Sequence, residues 1–128
     1  MVLPTFEDRL SSIGKDFQIT ASSSITVSEL LARLSLIGCT LPVVPGVLGA
    51  TLGGMLAADI HGKNHFQMGS LGRWVRSLSL MIPSGEVLEC SEQNEPEIFR
   101  ATLGGMGLTG VILSACLEVV PLKGLQAA

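Results

Sequence analysis

Apolar and polar side chains alternate along Phe17-Gln-Ile-Thr-Ala, the period of a half-buried strand. Thr26-x-x-Glu29 has the spacing of a capping box and predicts a helix whose apolar face is Val27, Leu30, Leu31 and Leu34. Gly38 stands where that helix must stop. Leu78, Leu80 and Ile82 then alternate with Ser77, Ser79 and Met81; Pro83-Ser84-Gly85 turns the chain and Val87 to Cys90 returns it, a hairpin. A second helix is expected to begin at Asn94, with Pro96 in its first turn and Glu97 completing the cap. The β-branched run from Val111 to Val120 reads as a strand ended by Pro121. The predicted order is strand, helix, glycine loop, hairpin, helix, glycine loop, strand. This is an α+β pattern, with a mixed sheet flanked by helices, and not a regular βαβ series.

The two glycine loops carry the candidate chemistry. Pro45 to His65 (PGVLGATLGGMLAADIHGKNH) holds five glycines, two histidines, a lysine and an aspartate. Glycine admits close approach to the backbone and lets N–H groups converge on anionic oxygens. Asp59, His61 and Lys63 alternate, so an extended backbone would put them on one face, with a carboxylate able to orient an imidazole. Ala-Thr-Leu-Gly-Gly-Met occurs at 50–55 and again at 101–106. Its flanks do not match, so two loops answering one demand, contact with a single extended ligand, explain it better than a solenoid repeat does.

Other motifs lose force on inspection. Gly105-Met-Gly107-Leu-Thr-Gly110 spells the dinucleotide fingerprint, but a helix precedes it and a strand follows, the reverse of the Rossmann arrangement. His61 and His65 have a zinc-ligand spacing, yet Gly62 stands where the zinc-protease motif needs glutamate, and Lys63 would repel the metal, so no metal is assigned. Trp74, flanked by Arg73 and Arg76, reads as a core residue beside surface charge.

A net charge of −3 gives no basic footprint and argues against a nucleic-acid partner. A mean hydropathy of +0.52 is high for a domain of 128 residues and points to surface covered by further protein, a second chain or an oligomer. No charged residue lies between Leu34 and Ala58, but Pro42, Pro45 and the glycines argue against a transmembrane helix there. Met1 to Leu10 lacks the apolar core of a secretory signal. Cys39, Cys90 and Cys116 are odd in number and far apart, which suits a reduced, cytoplasmic protein.

The run P-G-x-x-x-x-T-x-G-G-x-x-x-x-D-I-H-G-K-N-H, followed by A-T-x-G-G-x-G-L-T-G-V-I, resembles the FAD-linked oxidases of the vanillyl-alcohol-oxidase type, whose cofactor domain is called PCMH-type. The resemblance runs from about Phe17 to Pro121. It implies non-covalent FAD, with Gly46 and the Thr51-Leu52-Gly53-Gly54 turn around the diphosphate and ribityl chain. It further implies that Ala58, Asp59, Ile60 and His61 line the flavin, and that Lys63 faces the substrate. Gly107, Gly110 and Ile112 would support the cofactor from the second loop, the latter two at its adenosine end. His61 and Lys63 are the implied catalytic pair. The implied reaction oxidises a secondary alcohol of a sugar to a ketone; a sugar-lactone oxidase, a related flavin reductase and a catalytically inactive remnant stay open. The family's first glycine-rich loop would lie before Met1 and its cap domain beyond Ala128. Residues 1–128 are therefore expected to form a single, partial FAD-binding domain that does not catalyse alone.

Overall fold

The computed structural model describes residues 17–42, 49–58 and 71–122. In chain order the elements are β1 (Gln18–Ser22), α1 (Val27–Leu36), β2 (Cys39–Thr40), α2 (Leu52–Ala57), a 3-10 turn (Leu71–Trp74), β3 (Val75–Met81), β4 (Val87–Ser91), α3 (Pro96–Thr102), β5 (Val111–Glu118) and β6 (Val120–Pro121). The strands β1-β5-β3-β4 make a four-stranded sheet, and β2 pairs with β6 in a separate two-stranded one. Every pairing among them is antiparallel. The expected α+β class holds.

The helix α1 starts as its sequence dictates. Thr26 is extended at the N-cap, and its hydroxyl accepts the Glu29 amide at 3.1 Å. Val27, Leu30 and Leu34 are fully buried on its inner face, and Gly38 turns the chain away at φ 79°. The sheet supplies the facing layer of the core through Ile19, Ala21, Leu78, Leu80, Cys90, Ala115 and Leu117. Burial, reinforced by Glu95 and Glu89, pushes the Cys90 thiol up, which keeps it protonated.

Three elements depart from the sequence expectation. The second helix begins at Pro96, two residues late: Asn94 is held back by exchange of backbone hydrogen bonds with Ser91, and Glu95 occupies the cap in the left-handed region with no side-chain bond. Proline then takes the first helical position, where its missing N–H costs nothing. The last strand breaks after Glu118, and Val120–Pro121 forms β6 against Cys39–Thr40. The first glycine loop contains the helix α2, which its two glycines had concealed.

The β3–β5 pairing has two irregularities. Arg76 is the extra residue between the Val75↔Leu117 and Ser77↔Cys116 pairs, and Leu113 the extra residue between Ser79↔Ser114 and Leu80↔Ile112. The Leu113 carbonyl accepts the Ser23 amide at 2.9 Å, which carries the β1–β5 register one residue past Ser22↔Ser114. It thereby anchors the turn that follows β1.

Candidate functional site: a cleft between the two glycine loops

The two identical hexapeptides meet in space but perform opposite jobs. In the first, Thr51 is the N-cap of α2, its hydroxyl accepting the Gly54 amide at 3.1 Å. Glycines at positions 53 and 54 each cost a helix roughly 1 kcal/mol relative to alanine. Full burial of Leu52 and Leu56 contributes about 1.5–3 kcal/mol apiece and outweighs them. In the second copy Thr102 ends α3 and the glycines form the turn that leaves it.

The first copy is fixed to the start of the fold. Val27 donates to the Ala50 carbonyl at 2.9 Å, Leu52 to Ile25 at 2.8 Å and Gly53 to Ser23 at 3.0 Å. The helices α1 and α2 thus open side by side, with Thr26 and Thr51 joined in a β-bridge. The second copy is fixed to the first: the Gly104 amide donates to Leu56 O at 2.9 Å and the Met106 amide to Ala57 O at 2.7 Å. These bonds satisfy carbonyls that the end of α2 would otherwise leave open.

Between the loops lies a cleft of about 370 Å³. Its walls are small. Gly53, Gly54 and Ala57 form one side and Gly107, Gly110, Val111 and Ile112 the other, with the hydroxyl residues Ser23, Ser24, Thr51 and Thr102 among them. Among the described residues no charged side chain lines it. The volume is at the lower end for ligand pockets and suits part of an extended cofactor.

Of the residues expected to hold cofactor, Thr51, Gly53, Gly54, Gly107, Gly110 and Ile112 all line this one cleft. Leu52 is fully buried in the core, and Ala58 caps the end of α2 just outside the lining. Gly46, Asp59, Ile60, His61 and Lys63 lie outside the described residues. Ser23, Ser24, Ala57, Thr102 and Val111 were not anticipated. The first two had a visible signal, a run of small polar residues, Ser22 to Ser24, between a strand and a capping box.

The glycines act differently from one another. A Cβ on Gly53 would lie 2.8 Å from that of Ser23, and one on Gly110 would lie 2.3 Å from the Met81 carbonyl oxygen. These two positions are small because the protein itself presses on them. At Gly107, with φ 83°, a Cβ would meet nothing within 4 Å. The amides of Leu52, Gly53 and Gly54 all donate within the protein, so this turn presents hydroxyls and open surface rather than N–H groups.

A second depression, about 300 Å³, lies across α3 and is lined by Arg73, Arg76, Arg100, Glu92 and Phe99 among others. Arg100 donates to Glu92 at 2.7 Å, which holds the Glu92 carboxyl below its usual range, and Arg76 is paired with Glu118. Two of its three guanidiniums are thus already matched. Trp74, beside it in sequence, is half-buried and its indole N–H has no acceptor among the described residues, which nothing in the structure explains.

The cleft of glycines and hydroxyls is built on an antiparallel sheet, and the Gly105–Gly110 run enters a strand rather than a helix, so the site is not a Rossmann one. The profile of the FAD binding domain family matches residues 3–91, and the chain belongs to that family, with FAD as its cofactor. Among curated proteins it is similar to decaprenylphosphoryl-β-D-ribose oxidase of Mycolicibacterium smegmatis, 37% identical over 116 residues, which is 89% of this chain and 25% of that protein. L-gulonolactone oxidase of Scyliorhinus torazame is 32% identical over 89% of this chain and 26% of its own length. D-arabinono-1,4-lactone oxidase of Yarrowia lipolytica is 29% identical over 91% and 22% respectively. The chain spans about a quarter of the length of these relatives.

The residues present fit the cofactor. Among the described residues the cleft brings no carboxylate against a diphosphate, offers the hydroxyls of Ser23, Ser24 and Thr51 to oxygen-rich groups, and leaves the space at Gly107 open. No helix among the described residues is long and apolar enough to cross a membrane.

Proposed function

We propose that this chain is the cofactor-holding part of an FAD-dependent oxidoreductase that oxidises a secondary alcohol of a sugar or sugar-phosphate lipid to a ketone. The observation that carries the reading is the meeting of both Ala-Thr-Leu-Gly-Gly-Met copies at one cleft of glycines and hydroxyls. The similarity to a ribose oxidase supports the substrate class, as does the Asp59-Ile-His-Gly-Lys-Asn-His65 run. Sugar-lactone oxidation is the second reading, favoured by the lactone-oxidase relatives over nearly the same stretch.

When bound, FAD supplies a two-electron acceptor that takes hydride at N5. The hydroxyls of Ser23, Ser24 and Thr51 bind and orient the cofactor, and Gly107, Gly110 and Ile112 form the opposite wall. Ala58, Asp59, Ile60 and His61 are assigned to the flavin, Gly46 and Leu52 to the backbone around it, and Lys63 to the substrate hydroxyl. His61 has the proton-transfer capacity that oxidation of an alcohol requires. Residues 1–128 act as one partial domain that works with further polypeptide. That polypeptide, or a second copy of the chain, covers the exposed apolar side chains Leu108, Met106 and Val111. Three free cysteines suit a cytoplasmic setting.

The test is His61→Ala in the catalytically complete protein. Turnover should fall by about a hundredfold or more, the scale of a lost acid–base group, while the flavin absorbance stays with the protein. Loss of flavin together with activity would make His61 a cofactor ligand and contradict its assignment. Anaerobic bleaching of the flavin by a ribosyl phospholipid, and not by a lactone, is the expected substrate result; the reverse would favour lactone oxidation.

A further inference from the structure

The second wall of the cleft is held by a pair of hydroxyls. Thr102 is the only buried polar side chain among the described residues, 2% exposed. Its hydroxyl donates to the Ile98 carbonyl at 2.7 Å, one turn back on α3. Its oxygen also lies 2.8 Å from the Thr109 hydroxyl. A threonine has a single hydroxyl proton, and that of Thr102 is committed to Ile98, so Thr109 is the donor of the second bond. The direction of the pair follows from counting protons.

This bond closes a loop. Residues 103–110 leave α3 at Thr102 and enter β5 at Val111, and the Thr102–Thr109 bond ties the far end of the excursion back to its origin. The near end is tied by Gly104 to Leu56 and Met106 to Ala57, and the middle by the Leu108 amide to Gly105 O at 3.0 Å. Gly107 and Gly110, which line the cleft, lie on either side of Thr109. Leu108, 87% exposed, and Met106, 67% exposed, lend the loop no packing of their own. A loop with outward-facing apolar side chains keeps its shape through its hydrogen bonds.

We propose that Thr109 is a positioning residue: through its bond to Thr102 it fixes the glycine wall of the cleft and so sets the affinity for FAD, without lining the cleft itself. This rests on the cofactor reading given above. The loop amides and the flavin give separate readouts, so the two claims can fail separately.

The test compares Thr109→Val, Thr109→Ser and a control, Leu34→Val, which trims the buried face of α1 away from this loop. Amide exchange is followed at residues 106–110, and FAD affinity by quenching of flavin fluorescence. Thr109→Val keeps the shape, removes the donor and leaves Thr102 bonded to Ile98. It should speed exchange in the loop and weaken FAD about three- to tenfold, the scale of one net hydrogen bond. Thr109→Ser should restore both, and Leu34→Val should alter neither. Unchanged loop exchange in Thr109→Val would overturn the clasp. Faster exchange with unchanged FAD affinity would overturn its positioning role. A wild-type chain that binds no FAD would instead remove the cofactor reading, and loop exchange alone would then decide the clasp.

Discussion

At Gly110 a Cβ would stand 2.3 Å from the Met81 carbonyl oxygen with φ at 150°, while at Gly107 the same atom would enter open space with φ at 83°. The two substitutions to alanine should therefore differ. Gly110→Ala has to move the end of β3 as well as accept backbone strain, and should cost about 3 kcal/mol or more of stability in urea denaturation. Gly107→Ala bears only the left-handed penalty, about 1–2 kcal/mol, so a near-normal fold can be tested for loss of flavin. Equal costs at the two sites would contradict the contact at Met81. The letters of the sequence marked both positions as ones needing glycine. They could not say that at Gly53 and Gly110 the pressing group is Ser23 or Met81, because those contacts arise from segments distant in sequence.

Local hydrogen-bond chemistry decides which elements the sequence reveals. The helix α1 was legible because Thr26, Glu29 and Gly38 mark both of its ends and the apolar spacing lies between. The helix α2 was not, since Gly53 and Gly54 read as a loop and its stability comes from burying Leu52 and Leu56. Asn94 looked like the cap of α3, but its backbone is taken up by Ser91. The strand β5 ends at Glu118, earlier than expected, because Val120–Pro121 pairs with β2, a tertiary choice invisible in a β-branched run. The caps of α1 and α2 offer a matched comparison. Thr26→Ala and Thr51→Ala should each lower stability by about 1 kcal/mol in the same denaturation assay. Only Thr51 lines the cleft, so only Thr51→Ala should also weaken FAD. Equal loss of flavin in both would mean that cap stability, and not the Thr51 hydroxyl, governs binding.

For the molecule as a whole, β5 is the member that brings the site together. It pairs with β1 on one side and β3 on the other; its Leu113 carbonyl anchors the Ser23 turn, and its first residues form one wall of the cleft. The α+β class was readable from the order of the predicted strands and helices, and the family from the glycine hexapeptides and the Asp59–His65 run. The cleft was readable in half, since the glycines were visible but the hydroxyls of Ser23 and Ser24, in the turn after β1, and of Thr102, at the end of α3, come from two segments that only the fold unites. Val87, Met81 and Val111 lie opposite one another across three strands at one end of the sheet, all exposed. Such a row suits a chain that spans a quarter of the length of its relatives. The central claim is that the two loops together form a cofactor site, and titration of FAD into the purified chain tests it most directly, with flavin fluorescence and the melting temperature read in parallel. Saturable binding in the micromolar range with a raised melting temperature is the expected result. A folded chain that neither quenches the flavin nor gains stability from it would contradict the account.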